Sequence, residues 1–150
     1  MSHDIAQQTK VETDMLKLLM EGLRSTVAWK VQDHDITRKL STLRFIAQSF
    51  QRHLDRLFAV EEKDGYMDLA GKKPRLSRTV DALKLEHGEF RTEIQRIVHG
   101  LEGISSNEHA TFCTLCEELL ALLEKLDEHS KKEADLFLEA FEQDRGGGEG

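Results

Sequence analysis

Apolar residues recur along this chain at alternating steps of three and four. Between residues 76 and 101 they fall at Leu76, Val80, Leu83, Phe90, Ile94, Ile97 and Leu101, with His87 in the same phase. A later stretch places Phe112, Leu115, Leu119, Leu122, Leu126, Leu136 and Ala140 in one stripe, shared by His129 and Glu133. An earlier one runs Ile36, Leu40, Leu43, Ala47, Phe50, Leu54, Leu57 and Glu61, with His53 on its edge, three residues after Phe50. That rhythm defines a single buried stripe per amphipathic helix. The first helix is expected from Thr9 to Lys30, ending at the polar run QDHD. The second starts at Asp35, a natural N-cap, and reaches at least Lys63; YMDLA is compatible with its continuation until GKKP stops it. The third is expected from Pro74 or Ser77 to between Gly100 and Gly103. Before the fourth, Ser105 and Glu108 have the spacing of a capping box. The fourth fades near Gln143, and DRGGGEG reads as a frayed tail. Four helices with short connections predict an all-α, up-down-up-down antiparallel four-helix bundle. The expected organisation is one domain over residues 1–144 and a flexible Gly-rich tail over 145–150, with no internal repeat.

Composition narrows the class. The chain has 150 residues, one Pro, 6% aromatic residues and a net charge of -7. Such acidity argues against a nucleic-acid footprint and against attraction to anionic lipid. No apolar run approaches the ~20 residues that cross a bilayer, and MSHDIAQQTK lacks the basic-then-apolar pattern of a signal peptide. Two Cys, three apart, form no oxidised framework, so a cytoplasmic protein is expected.

The informative positions are the polar ones inside the apolar stripes. In an antiparallel bundle, the end of the second helix, the start of the third and the end of the fourth share one end of the molecule. At ~1.5 Å rise per residue, His87 lies about 18 Å into the third helix. Counted back from the end of the fourth, His129 and Glu133 lie about 21 and 15 Å deep, and His53 lies about 15 Å from Lys63. Glu61 is two turns shallower unless the second helix is longer. Ionisable groups gathered in a core need partners, because desolvating a lone carboxylate costs several kcal/mol. A cation meets that need, since mixed imidazole and carboxylate donors suit iron, manganese or zinc. His129 and Glu133, at i and i+4, point along one helix face, as a helix-borne site requires. The competing reading is a metal-free regulatory or interaction bundle in which a buried His–Glu network fixes helix register.

The segments RHLDRLFAVEEKDGYM, LEHGEF and LDEHSKKEADLF, in that order and spacing, resemble the hemerythrin-like, or HHE cation-binding, four-helix bundles. The resemblance spans roughly Val11 to Phe141. It implies a non-haem iron protein, with two ions per chain, that binds or reduces oxygen or peroxide, or senses oxygen, nitric oxide or iron. Position by position, Glu61 matches the bridging carboxylate of the second helix. His87 matches an imidazole of the third, and His129 with Glu133 the pair of the fourth. The family's His four residues before that Glu is replaced by Leu57, leaving His53 as the candidate one turn earlier. The first helix has no His between Val11 and Leu23, where Glu12 is in phase with Leu16, Leu19 and Leu23; Arg91 stands four residues after His87. The expected ligand set is therefore His53, Glu61, His87, His129 and Glu133, poor in imidazole. It suits oxygen or peroxide reduction, or sensing, better than reversible oxygen carriage.

Other features carry weaker expectations. Cys113 and Cys116 read as core-packing thiols, and Trp29 as a cap on the apolar core. His129 followed by Lys132 is similar to a phosphotransfer bundle, but the stripe turns His129 inward. Tyr66 and Met67 follow the acidic pair of the second helix and are placed to cover a site mouth or anchor a loop. Glu62 is exposed by phase and would replace Glu61 under a one-residue shift of register.

Overall fold

In the computed structural model, residues 3–63 and 72–147 are described. Four helices account for most of them: α1 (His3–Val27), α2 (Thr37–Lys63), α3 (Ser77–Gly103) and α4 (His109–Gly147). A 3-10 turn over Pro74–Leu76 leads into α3, with the fixed proline φ at its first position. α1 begins six residues earlier than Thr9 and stops at Val27, before Lys30. α4 passes Gln143 and continues into the Gly-rich stretch. The possible continuation of α2 through YMDLA, with Tyr66 and Met67, lies outside the described residues. No described helix is long and apolar enough to cross a membrane.

Cross-helix contacts establish the antiparallel order. Glu12 meets His53 while Gly22 faces Ile46, so α1 and α2 run oppositely. Glu62 meets Arg91 while Arg44 reaches Leu101 and Ile104, which does the same for α2 and α3. Glu86 meets Lys132 and Arg96 meets Glu118, reversing α4 on α3. Every stripe position named above on α2, α3 and α4 is buried, as is Leu76 in the preceding turn and Ile36 just ahead of α2. The apolar interior falls into two clusters. A large one extends from Leu16, Leu54 and Phe90 to Leu101 and Phe112; a small one holds Leu76, Val80, Leu83, Leu136 and Ala140. Glu61, His87, His129 and Glu133 are the buried carboxyl and imidazole residues among those described. Along α3 and α4 they occupy the gap between the clusters, with Leu83 and Leu136 on one side and Phe90 and Leu126 on the other.

Helix ends are closed by α2 and by short loops. Lys39 Nζ donates to the carbonyls of Val27 and Trp29 at 2.7 and 3.0 Å, and Arg44 donates to Leu101 and Ile104 at 2.6 and 2.5 Å. Both cations thereby satisfy carbonyls that have no partner at the ends of α1 and α3. Asp35 caps α2 by accepting the Thr37 N–H at 3.0 Å. Just before it, Asp33 and His34 both adopt left-handed backbone, φ 54° and 58°, a conformation more accessible to Asp and His than to most side chains. Only half of the expected capping box forms. Glu108 accepts the Ser105 N–H at 2.7 Å, whereas the Ser105 hydroxyl turns to Asn107.

Two expectations fail. Cys116 is buried, its thiol pushed up to about 11 by burial, but Cys113 is exposed, because one step beyond Phe112 rotates it out of the stripe. Trp29 lies past the end of α1 and remains 43% exposed, so it does not cap the core.

Candidate metal centre

Helix phase alone carries His87 and His129 inward, and both are fully buried. Their ring centroids stand 4.9 Å apart. Phe58 lies flat against His87 at 3.8 Å and 10°, and Phe90 meets His129 edge-on at 5.2 Å. One ligand atom each from His87, His129 and Glu133 falls within 4.8 Å of the others. Glu61 borders this group, its Oε1 being 3.4 Å from His87 Nε2.

The outer nitrogens of the two rings are held by carboxylates. His87 Nδ1 is 3.2 Å from Glu62 Oε1, and Glu62 receives both arms of Arg91 at 2.9 and 2.7 Å. His129 Nδ1 is 2.9 Å from Glu86 Oε1, whose other oxygen takes Lys132 at 2.9 Å. Arg91 holds Glu62 below the usual carboxylate range against the pull of burial. Burial works upward on Glu86 too, but Lys132 and His129 outweigh it and keep it low. Ionised carboxylates only accept hydrogen bonds, so each ring donates from Nδ1. The Nε2 atoms are thereby directed into the core.

Imidazole and carboxyl groups then crowd together inside. His129 Nε2 stands 3.1 Å from Glu133 Oε1 without the alignment of a hydrogen bond. That nitrogen, Glu61 Oε1 and Glu133 Oε2 are buried with no hydrogen-bond partner among the described residues. The titration behaviour reflects this crowding. Burial, and then Glu133 and Glu62, push Glu61 up to about 11. Burial also acts to raise Glu133, but His129 and Glu61 draw it lower. Burial and repulsion from His129 bring His87 down to about 4. His129 itself is raised, since Glu133 and Glu86 overcome its burial.

A model of the hemerythrin HHE cation-binding domain matches residues 5–141. The chain belongs to the hemerythrin HHE cation-binding family. Searches of curated proteins and of solved structures gave no match. Within this hemerythrin domain the residues present fit a cation. Three buried ligand atoms from α2 and α4 that lack a hydrogen-bond partner among the described residues lie close to the inward nitrogen of His87. One positive charge would satisfy them together.

Four of the five side chains singled out in the sequence thus meet in this buried cluster: Glu61, His87, His129 and Glu133. His53 does not join them. Its Nδ1 pairs with Glu12 Oε2 at 2.7 Å, on the face of α2 that packs against α1. Leu57 is a buried core residue, and Arg91 is engaged with Glu62. Sequence reasoning missed the outer partners Glu62 and Glu86 and their cations. A signal was present, since Glu62 directly follows Glu61, Glu86 directly precedes His87, and Lys132 is one turn from His129.

Proposed function

We propose that this protein is a non-haem iron protein in which Glu61, His87, His129 and Glu133 share one cation. Its partner would be a small molecule, dioxygen, peroxide or nitric oxide, which it reduces or senses rather than carries. The observation that supports this reading is the gathering of two imidazoles and two carboxyl groups in the core, with three of their atoms lacking a hydrogen-bond partner among the described residues. A donor set of two imidazoles and two carboxylates suits iron, manganese or zinc. When bound, iron would supply an open coordination position and a redox electron.

The remaining work falls to the chain. His87 and His129 present neutral donor atoms, and Glu61 and Glu133 supply the negative charge that offsets a divalent cation. Phe58 and Phe90 line the two rings with apolar surface and keep water from their faces. The donor count favours one ion over the two that the resemblance implies. His87 is covered on one face by Phe58, its Nδ1 is engaged by Glu62, and His53 is committed to Glu12. No second set of ligands is assembled among the described residues.

Elemental analysis after iron-replete expression tests this, with about one iron per chain expected; less than about 0.2 of any transition metal favours the metal-free His–Glu network. The double change His129→Ala with Glu133→Ala should abolish binding. Unchanged metal content in that variant would overturn the assignment of α4.

A further inference from the structure

Two carboxylates outside the ligand group recur in the same relation to it. Glu62 and Glu86 each accept the Nδ1–H of one buried imidazole, and each is tethered by a cation on a neighbouring helix, Arg91 on α3 or Lys132 on α4. Two rings on two helices have acquired the same three-member chain of cation, carboxylate and imidazole. Packing does not require this, because an imidazole in a core is satisfied by any nearby carbonyl. What the arrangement achieves is directional. With the proton fixed on Nδ1, the lone pair of each ring must lie on Nε2, the side that faces the carboxylates of Glu61 and Glu133.

We propose that Glu62 and Glu86 are positioning residues that set the tautomer and aim of His87 and His129 toward a shared cation, with Arg91 and Lys132 anchoring them. The inference rests on the metal reading above. The two chains differ in strength. Arg91 grips Glu62 through two bonds, and its guanidinium also lies over the Phe58 ring at 5.4 Å, so this chain braces both the carboxylate and the aromatic wall of the site. Lys132 makes a single contact and is 57% exposed, beside a groove of about 640 Å³ between α3 and α4 that is lined by Glu86 and Phe90. Disruption of the Arg91 chain is therefore the more damaging of the two.

Cobalt(II) is the probe, titrated into apo-protein and followed by its visible ligand-field bands. Glu62→Gln and Glu86→Gln keep side-chain shape and are expected to weaken binding about 10–100-fold and to shift those bands. Arg91→Met should weaken it more than Lys132→Met, and Glu86→Asp should recover part of the loss. Nitrogen NMR of the apo-protein at neutral pH gives a readout free of metal: His87 should appear as the Nδ1–H tautomer and lose that preference in Glu62→Gln. Wild-type cobalt affinity and unshifted bands in both Gln variants would overturn the proposal alone, as would an Nε2–H tautomer at His87. Failure of the wild-type protein to bind cobalt would overturn it together with the metal reading.

Discussion

The two halves of the bundle treat buried polarity in opposite ways. In the half built on Leu23, Leu43, Leu101 and Leu119, the buried polar residue is Thr26, whose hydroxyl returns to the Gly22 carbonyl at 2.7 Å within the same helix. That half is closed chemically as well as sterically. In the other half, four ionisable side chains are buried, and three of their atoms have no partner among the described residues. A fold that satisfies this buried hydroxyl so locally does not leave three atoms of ionisable groups unmet through poor packing. The difference sets a half built for stability against a half whose groups suit binding.

Leu119 is fully buried in the apolar half, and Leu119→Ala should destabilise the protein by about 2–5 kcal/mol through lost contacts and a cavity. Denaturant unfolding measures that cost, and the metal content of the folded protein should not change. A change in metal content would mean that the halves are not separable. At the other end the sign reverses. Glu61→Met together with Glu133→Met replaces the facing pair of buried carboxyls with apolar chains of similar size, so the apo-protein should gain about 1–4 kcal/mol while losing metal affinity. Loss of apo stability would show that these carboxyls already have partners and are structural.

The smallest effect is on pH. Glu61 is raised to about 11, so without metal it carries a proton at neutral pH, and a cation must displace it. Affinity should then rise with pH, by about tenfold per unit for each proton released. Calorimetry in buffers of different ionisation enthalpy counts that release. Uptake without proton release would remove Glu61 from the ligand group.

The helices and their buried faces were readable because the three-and-four rhythm ties sequence to burial without reference to neighbours. His53 shows where that information stops. Depth along the bundle placed it level with the site, but on α2 it points to α1 and Glu12, whereas Glu62 points to α3 and His87. Depth is a sum of residue counts, while the choice of neighbour depends on how each helix is rotated, which the stripe fixes only coarsely. Glu86 and Lys132 were hidden for a related reason. They sit on solvated flanks where charged residues are expected, and only the fold reveals that they reach a buried ring.

Phe58 has no exposure and lies parallel to His87, with its edge toward His129 and Phe90 beside it. A ring clamped in this way has surrendered its rotational freedom during folding rather than at the moment of capture. Preorganisation of this kind makes ligation cheap in entropy. In the proposed site it would also make the benzyl wedge of Phe58, which donates nothing to a cation, a determinant of how tightly one is held.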